Sequence, residues 1–149
     1  MGLDMYLNKK IWIGAEYAHR NVKGEINLTE GVENKPIKIN LNKISEIVER
    51  TGYWRKANAI HKWFVDNVQE GIDECQEHYV TTEKLKELKA LCEEILVSKD
   101  ATKLPPTKGF FFGSDTVDEY YFNDLKATIE ILNTALEDEE GEYYYRSSW

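Results

Sequence analysis

Residues 53–64 read Tyr-Trp-Arg-Lys-Ala-Asn-Ala-Ile-His-Lys-Trp-Phe, and they constrain the fold more closely than any other stretch. At about 100° per residue, Tyr53, Ala57, Ile60, Phe64 and Val68 line up on one stripe of an amphipathic helix. His61 falls inside that stripe, and Arg55, Lys62 and Asp66 lie opposite. Such a helix must lay its apolar side on another layer of structure. The imidazole carried inward with it needs a hydrogen-bond partner. Trp63 projects near Lys56 and Asn67, away from the apolar centre, which predicts an exposed indole and therefore an interaction.

The layer it packs on is predicted at the two ends of the chain. Leu3, Met5, Leu7, Ile11 and Ile13 alternate imperfectly and predict a strand or hairpin arm over residues 3–13, and residues 143–149 predict a closing strand. Residues 14–34 are polar with scattered glycines and read as a loop or irregular hairpin. Ile37 and Ile39 continue a period of two, after which Asn40 or Asn42 is expected to cap a helix through Ile44, Ile47 and Val48 that Thr51-Gly52 breaks. The Tyr53 helix should then run to about Glu70, with Gly71 as its C-cap. His78-Tyr79-Val80 is a short strand candidate. Thr81 or Thr82 opens a helix with Leu85, Leu88, Cys92 and Ile95 at helical spacing. Pro105-Pro106 enforces a loop, and Gly109 to Gly113 encloses Phe110-Phe111-Phe112 in a short strand or aromatic turn that cannot hide all three rings. Thr116 with Glu119 forms a capping-box pattern for a last helix striped by Tyr121, Leu125, Thr128, Ile129, Leu132 and Leu136. The expectation is a single α+β domain over 1–149, about four helices packed on a small sheet formed from N- and C-terminal segments.

The chain has 149 residues, enough for one sizeable core. Its formal charge of −8 disfavours direct binding to nucleic acid or to an anionic membrane and suits a basic partner. No apolar run approaches a membrane span or a signal-peptide core, and the start lacks the hydroxyl residue of a myristoylation motif, so a cytoplasmic location is expected. Cys75 and Cys92 are too few for a disulfide framework.

No catalytic residues are assigned, since no nucleophile elbow or phosphate-binding glycine loop is present. Cys75 and His78, three apart, with His61 folded back, compose a candidate structural zinc site that Asp4, Asp73 or Glu74 would complete. A hydrogen-bonded core histidine is the other reading of His61. Trp54, Arg55, Asn58 and His61 compose a candidate small-ligand site, stacking a base and pairing a phosphate. Asp115, Asp118, Glu119 and Asp124 gather at the last helix's start. They read as capping groups or, as a carboxylate pair, an acid–base or cation site.

The start Met1-Gly2-Leu3-Asp4-Met5-Tyr6-Leu7, the run Tyr53-Trp54-Arg55-Lys56-Ala57-Asn58-Ala59-Ile60-His61 with Trp63-Phe64, the Phe110-Phe111-Phe112-Gly113 turn and the ending Tyr145-Arg146-Ser147-Ser148-Trp149 resemble a family of small phage and prophage proteins, largely uncharacterised. The resemblance implies a setting, inhibition of host defence in the host cytosol, in which small acidic proteins such as anti-CRISPR proteins block effector nucleases. The leading expectation is therefore a non-enzymatic inhibitor binding a basic host protein, an RNA-guided CRISPR effector nuclease above all. Acidic patches at 115–124 and 137–142 would steer it, and Trp63, Asp115, Asp118, Glu119, Tyr144 and Trp149 would make contact. The alternatives are a sponge or hydrolase for a nucleotide signal, and a structural or regulatory phage protein.

Overall fold

The alternation near the N-terminus becomes strand β1 (Asp4–Trp12), whose Met5 and Leu7 are buried while Asp4 and Tyr6 are not. The computed structural model describes residues 2–149. After β1 come β2 (Thr29–Glu30), β3 (Lys35–Pro36), β4 (Glu46–Arg55), α1 (Asn58–Asn67), β5 (His78–Val80), α2 (Thr82–Ser98), α3 (Glu119–Leu136) and β6 (Glu142–Ser148). The class is α+β. A four-stranded antiparallel sheet in the order β4-β1-β6-β5 sets the strands of the two chain ends side by side at its centre. The described residues hold three α-helices rather than the expected four, and none is long and apolar enough to cross a membrane. The chain divides into two compact units, residues 10–48 and the remainder, with β1 and β4 running through both.

In the larger unit one face of the sheet supplies Leu3, Met5, Leu7, Trp54, Val80, Tyr143 and Tyr145 to the core, and the helices supply Ile60, Phe64, Leu85, Leu88, Cys92, Ile95, Leu125 and Leu132. The missing helix is the stretch after Asn40. The Asn40 carboxamide accepts from the Asn42 amide at 3.1 Å, but only the 3₁₀ turn Leu41–Lys43 follows before the chain extends into β4. Ile47, Val48, Thr51 and Tyr53 are β-branched or aromatic and favour the pleated surface. The same strand absorbs Tyr53, Trp54 and Arg55, so α1 starts at Asn58, after a turn in which Lys56 takes φ 58°. Gly52 breaks nothing. A Cβ there would sit 2.4 Å from Cγ2 of Ile131, so the missing side chain lets α3 lie close on the strand.

The helix ends follow local chemistry. α1 stops at Asn67, short of the expected Glu70, and Gly71 (φ 79°) turns the chain while its amide donates to the Val65 carbonyl at 2.8 Å. Thr81 caps α2 by accepting from the Lys84 amide at 3.2 Å, and Leu85, Leu88, Cys92 and Ile95 are all buried. In α3 the cap is Asp118 instead of Thr116: its carboxylate accepts from the Tyr121 amide at 3.1 Å and from the Thr116 hydroxyl at 3.1 Å. Thr116 braces the cap, and a carboxylate in that place also suits the helix dipole.

The smaller unit carries no buried side chain among its residues 10–48. Its regular structure is a two-residue ladder, Thr29 opposite Pro36 and Glu30 opposite Lys35, turned through Gly31 (φ 70°) and Asn34 (φ 52°). The Ile13 amide donates to the Ser45 carbonyl at 2.9 Å where the segment begins and ends.

Candidate functional site

His61 is a core histidine with both ring nitrogens engaged. Its Nε2 lies 2.9 Å from the Asp73 carboxylate and its Nδ1 2.7 Å from the Tyr145 hydroxyl. A carboxylate only accepts, so Nε2 carries a proton, and in the tautomer with Nδ1 bare that nitrogen accepts from Tyr145. Burial, with Asp73 and Cys75 nearby, pushes the Tyr145 phenol well above its ordinary range and keeps it a donor. The other Asp73 oxygen accepts from the Trp149 indole at 3.1 Å, tying the end of the chain to the loop after α1. Cys75 is half-buried at φ 58°, and the half-buried His78 pairs in register with Tyr145. Among the described residues no three His, Cys, Asp or Glu side chains converge as a metal would require.

Of the four residues of the candidate small-ligand site, Arg55 and Asn58 line one cleft between the starts of α1 and α3, and Trp54 and His61 do not. Trp54 is buried and donates to the Thr128 hydroxyl at 2.9 Å. Asn58 is a staple: its amide donates to the carbonyls of Phe112 (2.9 Å) and Ser114 (2.7 Å), and its oxygen accepts from the Thr107 amide (2.8 Å). Only Arg55 reaches solvent, beside Asp4 at 3.6 Å. Trp63, expected at the surface, is 6% exposed and packs edge-on against Phe64. The wheel misplaced it because α1 is buried on nearly every side, leaving Lys62, Asp66 and Asn67 to water. Of the other expected contact residues, Asp115 pairs with Lys108 at 3.4 Å, Asp118 caps α3, Glu119 is exposed in its first turn, and Trp149 is 42% exposed. Phe110 is almost fully exposed, with Phe111 at 4.9 Å centroid distance.

The residues that sequence reasoning passed over lie on the other face of the sheet. With Met5, Leu7, Tyr143 and Tyr145 turned inward, alternation sends Tyr6 and Tyr144 outward. Tyr53 on β4 lies 5.6 Å from Tyr6 on β1, ring centre to ring centre, and Tyr144 on β6 lies 5.6 Å from Tyr79 on β5. All four strands thus contribute one tyrosine to this face. The guanidiniums of Arg50 and Arg146 stand 5.1 and 5.0 Å from the Tyr6 ring centre. Neither is paired with a carboxylate among the described residues, whereas Asp4 accepts from the Tyr53 hydroxyl and faces Arg55. Tyr53 and Tyr79 are about half exposed. The signal in the sequence was the outward half of two strands already identified at the chain ends.

No protein-family model, curated protein or solved structure matches the chain. What this face offers chemically is a set of large amphipathic rings that lose little conformational freedom on contact, with two guanidiniums stacked on one of them.

Proposed function

We propose that this chain is a non-enzymatic binding protein that docks a partner protein on the tyrosine face of its sheet. In the setting that its resemblance to phage proteins implies, the partner is a component of host defence, with an RNA-guided effector nuclease the foremost candidate. One observation carries the reading: four strands each present a tyrosine to one face, and Arg50 and Arg146 stack on Tyr6 with no carboxylate partner among the described residues. Tyrosine and arginine are the residues that most often anchor interfaces, and a row of them has no structural need to face water. The net charge of −8 steers approach to a basic partner, while the row supplies the contact that persists after encounter.

The test is inhibition of target cleavage by purified effector ribonucleoproteins titrated with the chain. Dose-dependent inhibition that Tyr6→Ala with Arg146→Ala weakens by about tenfold or more supports the reading. Those side chains face outward, so the fold should survive the change. A double variant as potent as the parent, or the absence of inhibition together with no partner recovered from infected host cells, rejects it.

A further inference from the structure

Between the start of α1 and the start of α3 lies a cleft of about 280 Å³, floored by Ala57 and Leu125 and walled by Tyr120 and Tyr121. Asp118 and Asp124 both line it. Asp118 is occupied as the cap of α3. Asp124 is different. Half-buried, its carboxylate accepts no hydrogen bond and makes no ion pair among the described residues, and only its backbone carbonyl is used, by Thr128. A carboxylate partly withdrawn from water, with no partner among the described residues, keeps its capacity to pair a cation that enters the cleft.

The cleft's own cations do not fill that place. Arg55 turns to Asp4. The stem of Lys56 lies against Gly113, and its Cε comes within 3.1 Å of where a Cβ on Gly2 would be, so the ammonium is carried toward Gly2. Accordingly, burial and then the charge of Asp118 raise the Asp124 carboxyl to about 6, and no lysine or arginine offsets them.

We propose that this cleft is a binding site for a guanidinium group, which the Asp124 carboxylate pairs and the Tyr120 ring stacks upon, with the Asp118 cap adding negative charge nearby. The chemistry of the lining selects that group. A divalent metal needs more ligands than converge here. The volume falls below the roughly 300–1,000 Å³ of pockets that enclose whole drug-sized ligands, so the site suits one side-chain-sized group. A planar fork of N–H donors matches a carboxylate edge-on, and Tyr120, 79% exposed at the wall, offers a free ring face. None of the four tyrosines of the sheet face is used, so this site stands or falls apart from that reading.

The experiment is an amide-resolved NMR titration of the full chain with Nα-acetyl-arginine amide, with the neutral citrulline analogue and the lysine analogue as controls. Saturable shifts clustered in residues 118–125, with a dissociation constant on the order of 1 mM, are expected for the arginine probe alone. Binding should weaken about tenfold for each pH unit below the Asp124 midpoint, as the carboxylate is neutralised. Asp124→Asn should abolish it, and Tyr120→Ala, which alters an exposed ring, should weaken it while leaving the remaining spectrum in place. Equal binding of the citrulline analogue, unchanged binding by Asp124→Asn, or no saturable shift in the parent chain overturns the proposal.

Discussion

His61 is buried and Asp124 half-buried, and the chain treats the two side chains in opposite ways. Each ring nitrogen of His61 has a partner, whereas the Asp124 carboxylate has none among the described residues and is raised by burial and by Asp118 to about 6 from an ordinary 3.8. Between those values the folded state binds more protons than the unfolded state, so this residue's contribution to stability is highest below about pH 4 and is lost as pH rises through about 6. Asp124→Asn removes the charge without removing a hydrogen bond. It is expected to stabilise the protein at pH 7 by on the order of 1 kcal/mol, discounted for the carboxylate's partial exposure, and to leave stability at pH 4 little changed. Urea denaturation of both proteins at the two pH values checks this, and an equal effect at both would reject it. The partnered state of His61 was legible in the sequence, because an imidazole on an apolar stripe has to be satisfied. The burial of Trp63 was not: a helical wheel ranks faces, but it does not reveal that α1 is buried at seven of its ten positions.

At the scale of elements, α2, α3 and β6 were readable from their periodicity, and the two helices also from a local start signal, Thr81 before α2 and the Thr116-to-Glu119 stretch before α3. β4 was misread because its glycine looked like a boundary and its ends resembled helices. The structure gives Gly52 another purpose, and that purpose can be measured. Gly52→Ala places a methyl 2.4 Å from Cγ2 of Ile131, so either α3 or the strand must move. The expected loss is about 1–3 kcal/mol, the reverse of the gain that alanine's stronger strand propensity would otherwise bring. In an Ile131→Ala background the closest contact is gone and only the looser ones to Trp54 (3.3 Å) and Leu7 (3.4 Å) remain, so Gly52→Ala should cost about 1 kcal/mol less than it does in the parent. A double-mutant cycle by chemical denaturation reads the coupling, and strict additivity would place the cause elsewhere.

For the whole molecule, the two ends of the chain forming the centre of the sheet was legible from their shared alternation, whereas the gathering of Tyr6, Tyr53, Tyr79 and Tyr144 was not. Those tyrosines come from four strands whose order, β4-β1-β6-β5, no local pattern encodes. The middle of the N-terminal third was also obscure, and for a physical reason: residues 10–48 bury no side chain, so no periodicity is imposed on them. The core of the larger unit draws no side chain from that segment. The segment leaves and returns where the Ile13 amide donates to the Ser45 carbonyl, a pair that a two-residue hairpin turn can bridge. Replacing residues 14–44 with Asn-Gly therefore shortens the connection by about four doublings, which lowers the closure cost by roughly 2 kcal/mol. The core cluster contains none of residues 14–44, so the shortened protein should unfold at the same or a higher temperature, with the amide spectrum of α1, α2 and α3 preserved. Calorimetry together with that spectrum decides the matter. A lowered midpoint with collapsed dispersion would show that residues 14–44 contribute to the core's stability in a way their exposure does not reveal.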